Sequence, residues 1–433
     1  MSFALIRLSI LGGALILIAG CGGSGSGGSG GGNGSTNVTF TITGGTPTDV
    51  ATRVGSGAFT AATLTSGSLT LSLPSGTTNF AVAFVCPPVI FTTTPPSQQT
   101  TENVYEASTL DGTSFSESCP VTSTTGATGT LTGTVDASAI SGASFLNIDA
   151  LSGTAQSSDY LSSPGGNFSF AAPVGTDRVA VVAFNSVLTN SGETFSVLAA
   201  KNFSSQTVPG ALNGGNTVVL GAADETTLEP LTYNNVPSGY GAPSTAAAYN
   251  MGGDGGFILT NAATSEYPAL PAGAVQSGDY YYFSAVAYGG TSNLLGEVIV
   301  TMTSASAGPV SLTFPPAWSY AGPTAATWPS FDLSYAGFSG QTGVYDGVSM
   351  NWSSSSTAEN YILVTATGNY LDGSTTVAVP DLSGGTGFLS APASGTDVIW
   401  EADISQGNFP SLQPLPLNGT VKAVSTLGTY VVP

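Results

Sequence analysis

The stretch Gly67–Phe84, GSLTLSLPSGTTNFAVAF, returns about a hundred residues later as Gly166–Phe184, GNFSFAAPVGTDRVAVVAF. Both read as an alternating apolar/polar run, a Pro-x-Gly-Thr turn and a second apolar run, with one residue inserted in the second copy. Alternation of period two is the mark of a half-buried strand. Proline fixes φ and glycine accepts a positive φ, so Pro74-Ser75-Gly76 and Pro173-Val174-Gly175 are expected to reverse the chain between two strands. A third echo lies in Leu389–Ile404, LSAPASGTDVIWEADI. A spacing of about 100 residues is the size of one β-sandwich.

Working outward, Val38-Thr39-Phe40-Thr41-Ile42 alternates in the same way, and 58 glycines and 26 prolines interrupt nearly every longer run. No segment of a dozen residues keeps a helical stripe. The predicted fold is all-β: tandem antiparallel β-sandwich domains after a signal peptide and a flexible tether. The expected layout is a leader over 1–20, a tether over 21–36, and β-domains over 37–124, 125–225, 226–307 and 308–433, the last two being alternatively continuous. Composition changes near residue 226: all four tryptophans and fourteen of the sixteen tyrosines lie beyond it.

The chain has 433 residues, 25 acids against 5 bases, no histidine and a formal net charge of −20. Such a charge repels nucleic acid, and no nucleic-acid partner is expected. Lacking histidine, the chain has no Ser-His-Asp or Cys-His nucleophile and no histidine zinc site. The bases beyond the leader, Arg53, Arg178, Lys201 and Lys422, are too dispersed to suggest a phosphate site.

Residues 1–20 carry Arg7, an apolar run from Leu8 to Ala19 and small residues before Cys21, the layout of a secretory signal peptide. Ile18-Ala19-Gly20-Cys21 resembles the lipobox of bacterial lipoproteins, cleaved by signal peptidase II before a diacylglyceryl cysteine. The resemblance implies a lipidated Cys21 and membrane attachment through that lipid. With Gly22 following, it further implies the outer membrane in a two-membrane host and the outer face of the plasma membrane otherwise. An uncleaved helix and an ordinary signal peptide are the alternatives. Nine glycines and four serines in Gly22–Thr36 form no core; they make a coil of roughly 20 Å root-mean-square length. Export would place Cys86 and Cys119 in an oxidising compartment, where a disulfide is expected, two buried free thiols being the alternative. The stretch Thr130–Phe184 is similar in pattern to carboxypeptidase regulatory-like or fibronectin type III β-sandwiches, which implies a spacer or interaction module.

Three groups of residues are candidate sites. In Ser277–Gly290, SGDYYYFSAVAYGG, the residues Tyr280, Tyr282, Ser284, Val286 and Tyr288 share one strand face, and Tyr281, Phe283, Ala285 and Ala287 the other. The tyrosine row is a candidate ligand face or a covered sheet face. Trp318 and Trp328 lie in a proline-rich aromatic stretch and read either as a recognition platform or as plugs of a sandwich end. Asp397, Glu401 and Asp403 share a face opposite Trp400 and read as a solvated outer face; a pair of glycosidase carboxylates is the weaker alternative. The acidic turns at Asp254, Asp346 and Asp372 do not continue into a calcium-ligand ladder. No catalytic residue, metal or cofactor is expected. The function expected is non-enzymatic structural display or adhesion at the cell envelope. The alternatives are binding of polysaccharide, or of an envelope protein, by the aromatic-rich half, and a carboxylate-dependent glycosidase.

Overall fold

The computed structural model describes residues 35–91, 97–120, 127–152, 155–189, 192–251, 255–261, 265–291, 294–338, 344–407 and 418–433. The fold is all-β, as expected. Cys21, the leader and nearly all of the tether lie outside the described residues, as does Asp254.

The first repeat comprises β1 (Thr36–Gly44), β2 (Asp49–Val54), β3 (Thr60–Ala61), β4 (Ser68–Leu73), β5 (Asn79–Val85), β6 (Val89–Phe91), β7 (Ser97–Ser108) and β8 (Ser114–Cys119). The second comprises β9 (Thr128–Asp136), β10 (Phe145–Ser152), β11 (Ala155–Leu161), β12 (Gly165–Pro173), β13 (Gly175–Thr189), β14 (Gly192–Val208), β15 (Gly210–Ala211) and β16 (Val218–Val219). The third comprises β17 (Thr227–Asn234), β18 (Ser244–Asn250), β19 (Gly256–Thr260), β20 (Glu266–Ala269), β21 (Tyr280–Thr291), β22 (Leu294–Ser304) and β23 (Val310–Thr313). The fourth comprises β24 (Ser330–Asp332), β25 (Val344–Ser355), β26 (Ala358–Thr367), β27 (Thr376–Ala378), β28 (Asp397–Gly407) and β29 (Thr420–Val431).

One topology underlies all four. In the first repeat a small sheet β4-β1-β8 faces strands β3-β2-β5-β7. The second has β12-β9 with β15 and β16, facing β11-β10-β13-β14. The third has β20-β17-β23 facing β19-β18-β21-β22. The fourth has β27-β24 facing β26-β25-β28-β29. Among the described residues the fourth has no parallel strand matching β8, β15 or β23. Instead Tyr320, from the segment before β24, sets its ring 5.6 Å from Trp400 and 6.5 Å from Phe331.

The Pro-Gly-Thr corners join two strands, as read in the sequence, which left open the sheet that each strand enters. They do reverse the chain, and Thr77 N–H donates to the Pro74 carbonyl at 3.0 Å, as Thr396 does to Ala393 at 3.1 Å. But β4 and β5 do not pair with each other; the turn carries the chain from the small sheet into the large one. The reason lies in the phase of the apolar residues. Leu69, Leu71 and Leu73 point at Phe80, Val82 and Phe84 across one shared core, so a flat hairpin would leave one set exposed. One difference is that small-sheet partners such as β1 and β8 run parallel, because the chain re-enters each small sheet after crossing the sandwich.

The four large-sheet halves join into one 17-stranded sheet. β7 pairs in parallel with β26, β29 antiparallel with β22, and β14 meets β19 at Ser196–Thr260, so the repeats stand in the order 1, 4, 3, 2. The sheet bends at the join of repeats 2 and 3, where Gln156 of β11, three strands away from β14, donates to the Gly256 carbonyl of β19 at 3.3 Å.

Polar locks hold the joins. Arg178 on β13 makes a bidentate ion pair with buried Asp279, at 2.8 and 2.9 Å. Asp279 also accepts from the Tyr249 hydroxyl at 2.6 Å and the Gln276 N–H at 3.0 Å. Beside the join of repeats 1 and 4, Arg53 pairs with Glu106 of its own repeat and reaches across to the Tyr370 hydroxyl, while Phe59 covers the guanidinium at 4.7 Å. Within the first repeat Cys86 and Cys119 are disulfide-bonded, Cα to Cα 5.3 Å.

Asp279→Ala leaves Arg178 charged and largely buried, and it is expected to cost about 3–5 kcal/mol, the range for breaking a buried pair by removing one partner. Urea unfolding checks it; a loss below 1 kcal/mol would show that the pair is not a lock.

Candidate functional site

Repeat 1 carries its small sheet on one face of the large sheet, and repeats 3 and 4 carry theirs on the opposite face. The register shows this. Tyr105, in the core of the first repeat, lies opposite Thr365, which lies opposite Gly347, which lies opposite Asp403. Val398, Trp400, Ala402 and Ile404, between the acids of β28, point instead into the central core beside Phe331 of β24. In repeats 3 and 4 the face opposite their own small sheets is thus a broad polar floor.

That floor gathers residues the sequence kept apart. One row of directly opposed residues runs Tyr288, Glu297, Ser425, Asp403 across β21, β22, β29 and β28. A neighbouring row runs Leu295, Leu427, Glu401, Ser349, Leu363. Tyr280 and Tyr282 continue the β21 edge of the same face, and all three tyrosines are half-buried. Tyr281, Phe283, Ala285 and Ala287 enter the central core, as their parity predicts.

The acids of β28 are not the freely solvated row expected. Asp397 is exposed, but Glu401 and Asp403 are half-buried. The Ser425 hydroxyl donates to Glu401 Oε1 at 2.7 Å. The Asp403 carboxylate lies against Gly347, in space that any Cβ there would fill. Burial, with the Glu401 and Asp346 charges adding to it, pushes Asp403 up to about 7. Burial likewise holds Tyr361, across β25, up at about 12. On the opposite face, buried Asp346 is pushed up to about 7, again by burial.

Trp318 and Trp328 belong to the packing instead. Trp318 is only 7% exposed; its indole N–H donates to the Ser334 carbonyl at 3.1 Å, and its face stacks on Tyr320 at 5.0 Å. Trp328 is half-buried and stands edge-on to Trp352 at 6.3 Å. Neither shares the floor with the tyrosine row. Sequence reasoning missed Glu297 and Tyr361, which alternation alone cannot assign because cross-strand register decides which strands meet. Among the described residues no group of three or more Asp, Glu or Cys is arranged to hold a metal ion.

No family model matches the chain, and no curated protein matches it. Among solved structures it shows a distant likeness to the pilus adhesin SpaC from Lactobacillus rhamnosus GG, at 9% identity and a TM-score of 0.13. The match covers 65% of this chain and 42% of that one, so the chain spans less than half of the adhesin's length. A likeness this low carries no argument about function.

The buried acids give an unusual pH dependence. Burial is the main cause that raises Glu102 from 4.5 to about 7, and Asp346 and Asp403 from 3.8 to about 7. The folded state thus binds protons that the unfolded chain releases between pH 4 and 7. Their stabilisation is complete below about pH 4 and is lost as pH rises through 7. The urea midpoint is expected to be higher at pH 5 than at pH 8, with Asp346→Asn raising the pH 8 value and narrowing the difference. A midpoint that climbs from pH 5 to 8 would refute this.

Proposed function

We propose that the protein is an exported, lipid-anchored envelope protein whose role is non-catalytic display or adhesion. The observation that carries this is the leader itself, a charged start, an apolar run and Ile18-Ala19-Gly20-Cys21, followed directly by a glycine–serine tether. A lipidated cysteine suits stable attachment, because a diacylglyceryl group supplies the two chains that single acylation lacks. The Cys86–Cys119 bond suits an oxidising compartment. The continuous sheet, with the Arg178–Asp279 pair across one join, suits a stiff body at the end of a soft tether. Against a glycosidase role, Glu401 and Asp403 are neighbours on one face of one strand, not carboxylates on opposite walls of a cleft. In a two-membrane host the glycine after Cys21 favours the outer membrane.

Mass spectrometry of the mature protein is expected to find an N-terminus at Cys21 carrying a diacylglyceryl group. Cys21→Ser should retain the leader and release no lipidated form. An unmodified N-terminus, or full-length protein in the cytosol, would overturn the reading.

A further inference from the structure

The carbohydrate alternative looks to the aromatic-rich half of the sequence, whose tryptophans turn out to be packed. Among the described residues the most open ring lies elsewhere. Tyr160, on edge strand β11 in the second repeat, is 66% exposed. It shares one strand face with Gln156 and Ser158, at spacings of about 6.7 Å per pair of residues. β11 pairs with β10, where Asn147 lies opposite Tyr160 and Asp149 opposite Ser158.

Asp149 is 1% exposed, and its carboxylate organises the group. It accepts from Ser158 Oγ at 2.7 Å and Gln156 Nε2 at 3.1 Å through one oxygen, and from Asn147 Nδ2 at 2.6 Å through the other. Gln156 Nε2 also donates to the Gly256 carbonyl at 3.3 Å. A carboxylate and a carbonyl can only accept, so they fix which end of the Gln156 amide faces them. With both amide hydrogens engaged, Gln156 presents Oε1. That oxygen lies over Gly255, where a Cβ would come within 3.0 Å of it. Ser158, its hydrogen committed to Asp149, keeps its lone pairs for a ligand. The buried acid therefore turns two exposed side chains into acceptors beside an open aromatic face.

Such a surface is complementary to a ligand that is rich in donors, carries apolar C–H on one face and has no charge. From this geometry we infer that Tyr160, Ser158 and Gln156 form a saccharide-binding site, taking a neutral pyranose with its C–H face on Tyr160 and two hydroxyls donating to Ser158 Oγ and Gln156 Oε1. A basic peptide is the other donor-rich class, but the charge of Asp149 is buried and already hydrogen-bonded, and the exposed acceptors are neutral. The inference extends the adhesion reading and fails separately from it, because the anchor is tested by the mass of the N-terminus.

The test is saturation-transfer NMR of the full chain in detergent with cellohexaose, maltohexaose or chitohexaose. At least one should give transfer, reduced tenfold or more by Tyr160→Ala, with the thermal midpoint unchanged for this exposed position, and several-fold by Ser158→Ala. Transfer to none of the three, or transfer undiminished in Tyr160→Ala, overturns the site. So does a Tyr160-dependent response to polylysine alone that vanishes in 0.5 M salt.

Discussion

Pairing of open sheet edges is the constraint on which the rest of the molecule depends. Each repeat taken alone would end its larger sheet in rows of unpaired N–H and C=O groups, which favour aggregation. Here those rows meet one another along β7 with β26 and β29 with β22, while β19 touches β14 at the one pair Ser196–Thr260. The chain thereby becomes one continuous sheet in place of beads on a string. That sheet bends at the join of repeats 2 and 3, where Gln156 of β11 reaches the Gly256 carbonyl of β19. Repeats 3 and 4 place their small sheets on the face opposite to that of repeat 1, which leaves a floor of tyrosines, acids and serines behind them.

Charge is used sparingly within this frame. Of the five bases, Arg178 is committed to an ion pair between repeats 2 and 3, Arg53 pairs with Glu106 within repeat 1 and bonds Tyr370 of repeat 4, and Lys201 lies 3.5 Å from Asp224. Polar contacts at these seams add specificity where apolar packing alone is permissive, since many Val and Ala faces fit equally well. The cost is a population of buried acids without a full complement of cations. Asp346, Asp403 and Glu102 are favoured in their neutral forms for that reason. Acidity that unfolds most proteins by protonating paired carboxylates should here relieve an electrostatic burden.

The two candidate surfaces differ in how far they could be seen in advance. The tyrosine row of β21 was legible because period-two alternation needs only one strand. That it shares a floor with Glu401 and Asp403 was not, because those strands are more than a hundred residues apart and meet through β22 and β29. Tyr160 was missed for another reason. In the sequence it is one tyrosine in a half that packs with Val, Leu and Phe, and only the edge position of β11 leaves it uncovered. Trp318 and Trp328 could be read from local composition either as a platform or as plugs; stacking on Tyr320 and an edge-on contact with Trp352 place them in the packing.

By itself the sequence determined the all-β class, the parity of the alternating strands such as β1, β4 and β21, and the recurrence of the Pro-Gly-Thr corner. These are local or near-local properties, set by side-chain alternation and by the backbone preferences of proline and glycine. Only the tertiary structure decided that the corners cross between sheets, that the repeats stand in the order 1, 4, 3, 2, and which faces are covered. Those outcomes depend on which edge finds which partner. Backbone edges are chemically alike, so no single stretch of sequence encodes the choice.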